Sequence, residues 1–150
     1  MVIIKMNFSD LESVVKLYRD ANLFANIEDI RKWTLEGLKK HPDYNLVYKQ
    51  NGKIIAAISA VMKKDAIEIN DIAVLRSARN KKIGTNLMYY FLKKITKSKV
   101  SKIVLWVHWK NTSAIPFYYK FGFQIKKCLK TKGISGVPDG EDIIYLEKII

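Results

Sequence analysis

Cysteine occurs once in the 150 residues, at Cys128, so neither an internal disulfide nor a multi-cysteine metal centre can form. The two histidines, His41 and His108, lie too far apart for metal-ligand spacing, and no metal is expected. Three prolines and seven glycines supply no linker or low-complexity tract, and no internal repeat is visible. No apolar run reaches the roughly 18 residues of a membrane-spanning helix. The apolar stretch in MVIIKMNFSD is too short for a signal-peptide core. The expectation is a cytoplasmic, reduced setting with no membrane partner. Acid is also scarce: 14 Asp and Glu against 27 Lys and Arg leave a net charge of +13.

That surplus attracts polyanions, whether nucleic acid, anionic membrane or a phosphate-rich cofactor. The lysines are spread in small pairs, as on a solvated surface. No recognised nucleic-acid motif is present and no element gathers the charge, so nucleic acid is not expected as a partner. Hydrophobic residues make up 49%, including 17 aromatics, enough for one globular domain spanning residues 1–150.

Residues 2–7 alternate weakly and suggest an opening strand. Ser9 and Glu12 fit a capping box, followed by Leu11, Val14, Val15 and Tyr18 on one helical face. Asn26 caps a second helix over 27–39, with Glu28 and Asp29 in its first turn. Asn51-Gly52 between two apolar runs signals a hairpin, and a further strand follows over 67–74. Ile83, Leu87, Phe91 and Ile95, spaced by four, predict a helix. A strand over 103–107, a short helix over 113–120, a strand over 123–129 and a last strand over 143–146 complete the chain. A meander followed by this order implies an α/β fold of α+β type. Its central sheet would be mixed and mostly antiparallel, with one parallel crossover and helices on both faces.

The segment from Asp71 to Met88 runs from a strand through a basic loop into a helix. Free amides of the helix's first turn and the helix dipole favour an anion there. Arg79, Lys81 and Lys82 add charge, and Gly84 lets backbone approach a bulky anion. The glycine pattern of a P-loop is missing. The segment suits a pyrophosphate; the competing reading is a solvated loop with an ordinary helix start.

Val74, Arg79, Ile83, Gly84 and Leu87 resemble the acetyl-CoA motif of the GNAT superfamily of N-acetyltransferases. Lys82 stands where that motif has its first glycine. Asn111, Ala114, Phe117, Tyr118, Lys120, Gly122 and Phe123 are similar to the family's second motif, N-x-x-A-x-x-(F/L)-Y-x-K-x-G-F. The resemblance covers roughly residues 45–127 and implies the acyl-CoA N-acyltransferase fold. It implies acetyl transfer from acetyl-CoA to a primary amine by direct attack. The strand over 68–74 would splay from that over 103–107, with the pantetheine arm in the gap. Main-chain groups of Ile72, Ala73 and Val74 would hold the arm. Residues Arg79, Asn80, Lys81, Lys82, Ile83, Gly84 and Thr85 would hold the pyrophosphate. Asn111 would bond the arm, unless it is a helix cap, and Ala114 would line the site.

Tyr118 matches the family's tyrosine beside the cofactor sulfur. A phenol with pKa near 10 stays protonated where a thiol, near 8.5, is leaving, so it can act as the acid. The alternative is an aromatic core residue. Glu68 is the candidate base, weighed against a strand-edge glutamate facing solvent. Asp71 faces the other way. His108 is a weaker candidate, and Trp106 and Trp109 beside it suggest packing. Cys128 reads as a small strand side chain.

Val74 to Arg79 and the stretch over 105–123 look most like the N-terminal protein acetyltransferases, including the ribosomal-protein-alanine type. The loop over 22–26 lacks that group's proline-containing segment, and the loop over 131–141 lacks its tyrosine pair. An α-amine, with pKa near 8, needs less help from a base than a lysine near 10.4. The expected partners are therefore acetyl-CoA and an amine acceptor, a protein N-terminus, with a homodimer also open. The alternatives are a small-molecule amine such as a polyamine, or a lysine side chain. Outside the enzymes they are a basic nucleic-acid-binding domain or a non-catalytic CoA sensor.

Overall fold

The computed structural model describes residues 2–21, 25–134 and 137–150. Residues 22–24 of the loop after the first helix and 135–136 of the late Gly/Pro-rich loop lie outside these. Seven strands are hydrogen-bonded in the order β1-β2-β3-β4-β5-β7-β6, mostly antiparallel, with β4 and β5 parallel. The chain separates into two compact units, Met1–Val61 with Ile69–Lys99, and Met62–Glu68 with Val100–Ile150. No described helix is long and apolar enough to cross a membrane.

In the first unit, β1 (Val2–Lys5), β2 (Leu46–Gln50) and β3 (Lys53–Met62) form an antiparallel ribbon. Asn51 and Gly52 both take positive φ, 51° and 75°, as the tight turn between β2 and β3 demands. α1 (Leu11–Ala21) and α2 (Ile27–Lys40) bury Val14, Val15, Tyr18, Ile30 and Leu38 with Val47, Ala57 and Ala73 of the sheet. Gly37 of α2 makes this approach possible, because a Cβ there would lie 3.2 Å from Val61 and 3.3 Å from Asn45 Oδ1. Asn26 caps α2 as expected, its side chain accepting from Glu28 N at 2.7 Å.

The first helix starts differently from the sequence expectation. A 3₁₀ turn over Phe8–Asp10 precedes α1, and the Asn7 amide donates to the Asp10 carboxylate at 3.0 Å. The reciprocal box is thus Asn7/Asp10, not Ser9/Glu12. Glu12 is instead drawn to Arg31 of α2, at 2.8 Å.

In the second unit, the first residues of β4 (Ala66–Val74) pair in parallel with β5 (Lys102–His108), from Ala66 opposite Lys102 to Glu68 opposite Val104. β7 (Asp142–Ile149) is longer than predicted and inserts between β5 and β6 (Gln124–Lys130), antiparallel to both. The short helix resolves into a 3₁₀ stretch over Trp109–Ala114 and α4 (Ile115–Tyr119). β6 is exposed along its whole length, Cys128 included.

Candidate active site

β4 alternates as a half-buried strand should. Ile67, Ile69 and Ala73 are buried, while Glu68, Asn70, Ile72 and Val74 share the half-exposed face. Ala73 points into the core of α1 and α2, so only its main chain is available to a ligand. Asp71 lies on the core side, close enough for its charge to act on Tyr18.

After Val74 the chain turns. The Leu75 amide donates to Ile55 O at 2.7 Å, and a 3₁₀ turn over Arg76–Ala78 follows. Arg79 Nε donates to Val74 O at 3.1 Å, tying the basic turn to the strand end. Asn80 and Lys82 both adopt left-handed backbone, with φ 62°. Lys82 is the N-cap of α3 (Ile83–Ile95) and supplies no side-chain cap. Its left-handed conformation accounts for the glycine usual at this motif position: Lys takes it here at a cost of about 1 kcal/mol. The first amides of α3 therefore have no side-chain cap from the N-cap residue, beside the exposed Arg79, Lys81 and Lys82. Ile83 is buried, so its side chain is not available to a ligand. Gly84 and Thr85 sit half-exposed in the first helical turn.

In the second unit, His108 caps the 3₁₀ stretch, with Nδ1 accepting from Lys110 N at 3.1 Å. Asn111 lies inside that stretch, exposed and with non-helical backbone (φ −111°). The cap reading of Asn111 is thereby replaced. Ala114 is half-buried beside α4. Tyr118 is 8% exposed, its ring edge-on to Phe117 at 5.4 Å and Phe123 at 5.8 Å. Gly122, at φ 87°, reverses the chain after α4, and the amides of Phe121 and Phe123 both donate to Tyr118 O. This return explains the lysine-x-glycine-phenylalanine spacing. Glu68, 21% exposed at its side chain, meets Lys63 Nζ at 3.6 Å.

Two features escaped the sequence. Tyr18 is fully buried, its hydroxyl 2.8 Å from Ser59 Oγ, and burial holds the phenol well above its ordinary range. Hydrophobic periodicity marks Tyr18 as core but carries no signal for a partner 41 residues away. Trp106 and Trp109, expected to pack, do so at the surface: they are 39% and 44% exposed, with the Trp106 ring 4.8 Å from that of Tyr145 and the Trp109 ring 5.9 Å from that of His108.

The family model described as acetyltransferase (GNAT) family matches residues 11–123. An uncharacterized N-acetyltransferase of Methanocaldococcus jannaschii, MJ1207, is 31% identical over 134 residues, covering 81% of this chain. The chain spans 59% of that relative's length. Ard1 of Thermoplasma volcanium shares the fold at TM-score 0.84 and 22% identity, over 99% of this chain and 97% of its own. Arabidopsis thaliana Naa50, solved with the bisubstrate analogue CoA-Ac-MVNAL, does so at 0.79 and 23%, over 98% and 97%. The chain belongs to the acetyltransferase (GNAT) family.

Proposed function

We propose that this protein transfers the acetyl group of acetyl-CoA to a primary amine, with a protein N-terminal α-amine as the acceptor. The observation that carries the reading is the start of α3. There the amides of the first helical turn, two left-handed residues and three exposed cations gather within the stretch matched by the family model. Amides of Lys81 to Thr85 hold the pyrophosphate, with Arg79 and Asn80 shaping the turn. Main-chain groups of Ile72, Ala73 and Val74 hold the pantetheine arm, as an added strand would be held. Asn111, released from capping, bonds the arm, and Ala114 leaves room beside it. Acetyl-CoA supplies the activated acyl group. Glu68 takes the amine proton and Tyr118 donates one to the departing thiolate. The α-amine is favoured by the peptide-bearing analogue bound to the similar Naa50 and by the lower basicity of such an amine.

The test joins binding to turnover. Gly84→Val places a branched side chain in the first helical turn and should weaken acetyl-CoA binding at least tenfold by calorimetry. Tyr118→Phe should lower kcat on the order of 100-fold with little change in KM for acetyl-CoA. Unchanged acetyl-CoA affinity in a folded Gly84→Val protein would place the cofactor elsewhere.

A further inference from the structure

Within the second unit, β5 turns Lys102, Val104, Trp106 and His108 to one face of the sheet. Pairing carries that face across the neighbouring strands. Glu68 of β4 and Glu147 of β7 both lie opposite Val104, Tyr145 opposite Trp106, and Lys127 of β6 opposite Tyr145. The Trp106 and Tyr145 rings are 4.8 Å apart and inclined at 54°. The Lys127 ammonium stands over both, 4.9 Å from the Tyr145 ring and 5.7 Å from that of Trp106.

Carboxylates adjoin the rings. The Tyr145 hydroxyl donates to Glu147 Oε2 at 3.2 Å. Burial, with this bond and the charges of Glu147, Glu68 and Asp65, raises the phenol above its ordinary range, so three carboxylates act on one hydroxyl. The side chains of Glu147 and Glu68 are only 16% and 21% exposed. Each meets a lysine at 3.6 Å, Lys102 and Lys63 respectively, beyond hydrogen-bond distance. In a chain of net charge +13, these partly buried carboxylates beside two tilted rings form a surface suited to a cation.

Lys127 shows what the surface accepts. Its ammonium comes from a strand exposed at every residue, so it can return to water without uncovering a core. An incoming ammonium takes its place over the same two rings like for like.

We propose that Trp106, Tyr145, Glu147 and Glu68 form a subsite for a cationic group of the acceptor, an ammonium or guanidinium beside the amine to be acetylated, with Lys127 as its intramolecular occupant. The proposal rests on the acetyl-transfer reading above, in which Glu68 faces the acceptor. The acceptor is thereby a basic one: a peptide with lysine or arginine next to its N-terminus, or a polyamine.

Thiol release from acetyl-CoA is measured with a short peptide bearing lysine at its second position, with its norleucine counterpart and with spermidine. The lysine peptide or spermidine should exceed the norleucine peptide in kcat/KM by about tenfold, the scale of a cation held by rings and carboxylate together. The faster of the two cationic acceptors identifies the source. Lys127→Met should raise kcat/KM for cationic acceptors severalfold by removing the competitor. Trp106→Leu should bring the ratio towards one. Turnover with equal kcat/KM for all three acceptors overturns the subsite and leaves acetyl transfer standing. If no acceptor is acetylated, the transfer reading fails, and binding decides the subsite. The Trp106 indole N–H resonance, assigned by its loss in Trp106→Leu, is then followed during spermidine titration. A saturable shift that tightens in Lys127→Met supports the subsite; an unmoved resonance overturns it.

Discussion

Arg79 Nε donates to the Val74 carbonyl at 3.1 Å, so the motif arginine grips the end of its own strand. The guanidinium thereby sets the turn whose amides precede α3. Arg79→Met keeps the aliphatic stem and loses the bond. The acetyl-CoA Kd should rise about tenfold by calorimetry, matching a charge-assisted hydrogen bond. Thermal stability should move little, because the side chain is exposed.

Lys82 occupies left-handed backbone, φ 62° and ψ 14°, at the N-cap of α3. Lys82→Gly removes the Cβ penalty and should hold or raise the melting temperature. Lys82→Val adds β-branching to that conformation and should cost about 2 kcal/mol, a fall of about 5 °C in a domain of this size. Thermal unfolding of the two variants side by side checks the contrast.

Glu68→Gln preserves shape while removing basicity. The rate should drop most at low pH, where the acceptor amine is protonated, and recover as pH passes the amine's own pKa. Recovery near pH 8 identifies an α-amine, and recovery about two units higher a lysine or polyamine. Profiles of kcat/KM against pH for wild type and variant give the answer. Parallel curves would remove Glu68 from proton transfer.

Tyr18 contributes a pH dependence of folding. Burial favours the neutral phenol in the folded state, Asp71 adds to this, and the Ser59 hydrogen bond opposes it. The folded pKa lies above the unfolded one. The contribution is therefore complete below about pH 10 and drains away as pH rises beyond it. Tyr18→Phe should show a shallower alkaline loss of denaturant midpoint than wild type. At neutral pH the same variant should cost about 1 kcal/mol, because Ser59 loses its partner.

Local chemistry determined a large part of this protein. Asn51-Gly52 specified its turn because few residues tolerate positive φ twice in succession. The spacing of Ile83, Leu87, Phe91 and Ile95 specified α3, all four being buried. The order of strand, basic loop and helix marked the start of α3, since an N-terminus with free amides follows from chain direction alone. Even the departure at Lys82 was legible as a backbone problem, and the structure answers it with a left-handed lysine.

What the tertiary structure decided depends on residues distant in sequence. Asn7 and Asp10 rather than Ser9 and Glu12 cap the first helical segment, and Glu12 pairs instead with Arg31 of α2, 19 residues away. β7 lies between β5 and β6, hydrogen-bonded antiparallel to both, an arrangement that chain order does not give. The sequence suggests only that Trp106 packs near His108. Pairing with β7 and β6 sets it beside Tyr145 and under Lys127 on an exposed face. Strand alternation assigns a side chain to one of two faces, and only the packing of the rest of the chain determines which face is covered.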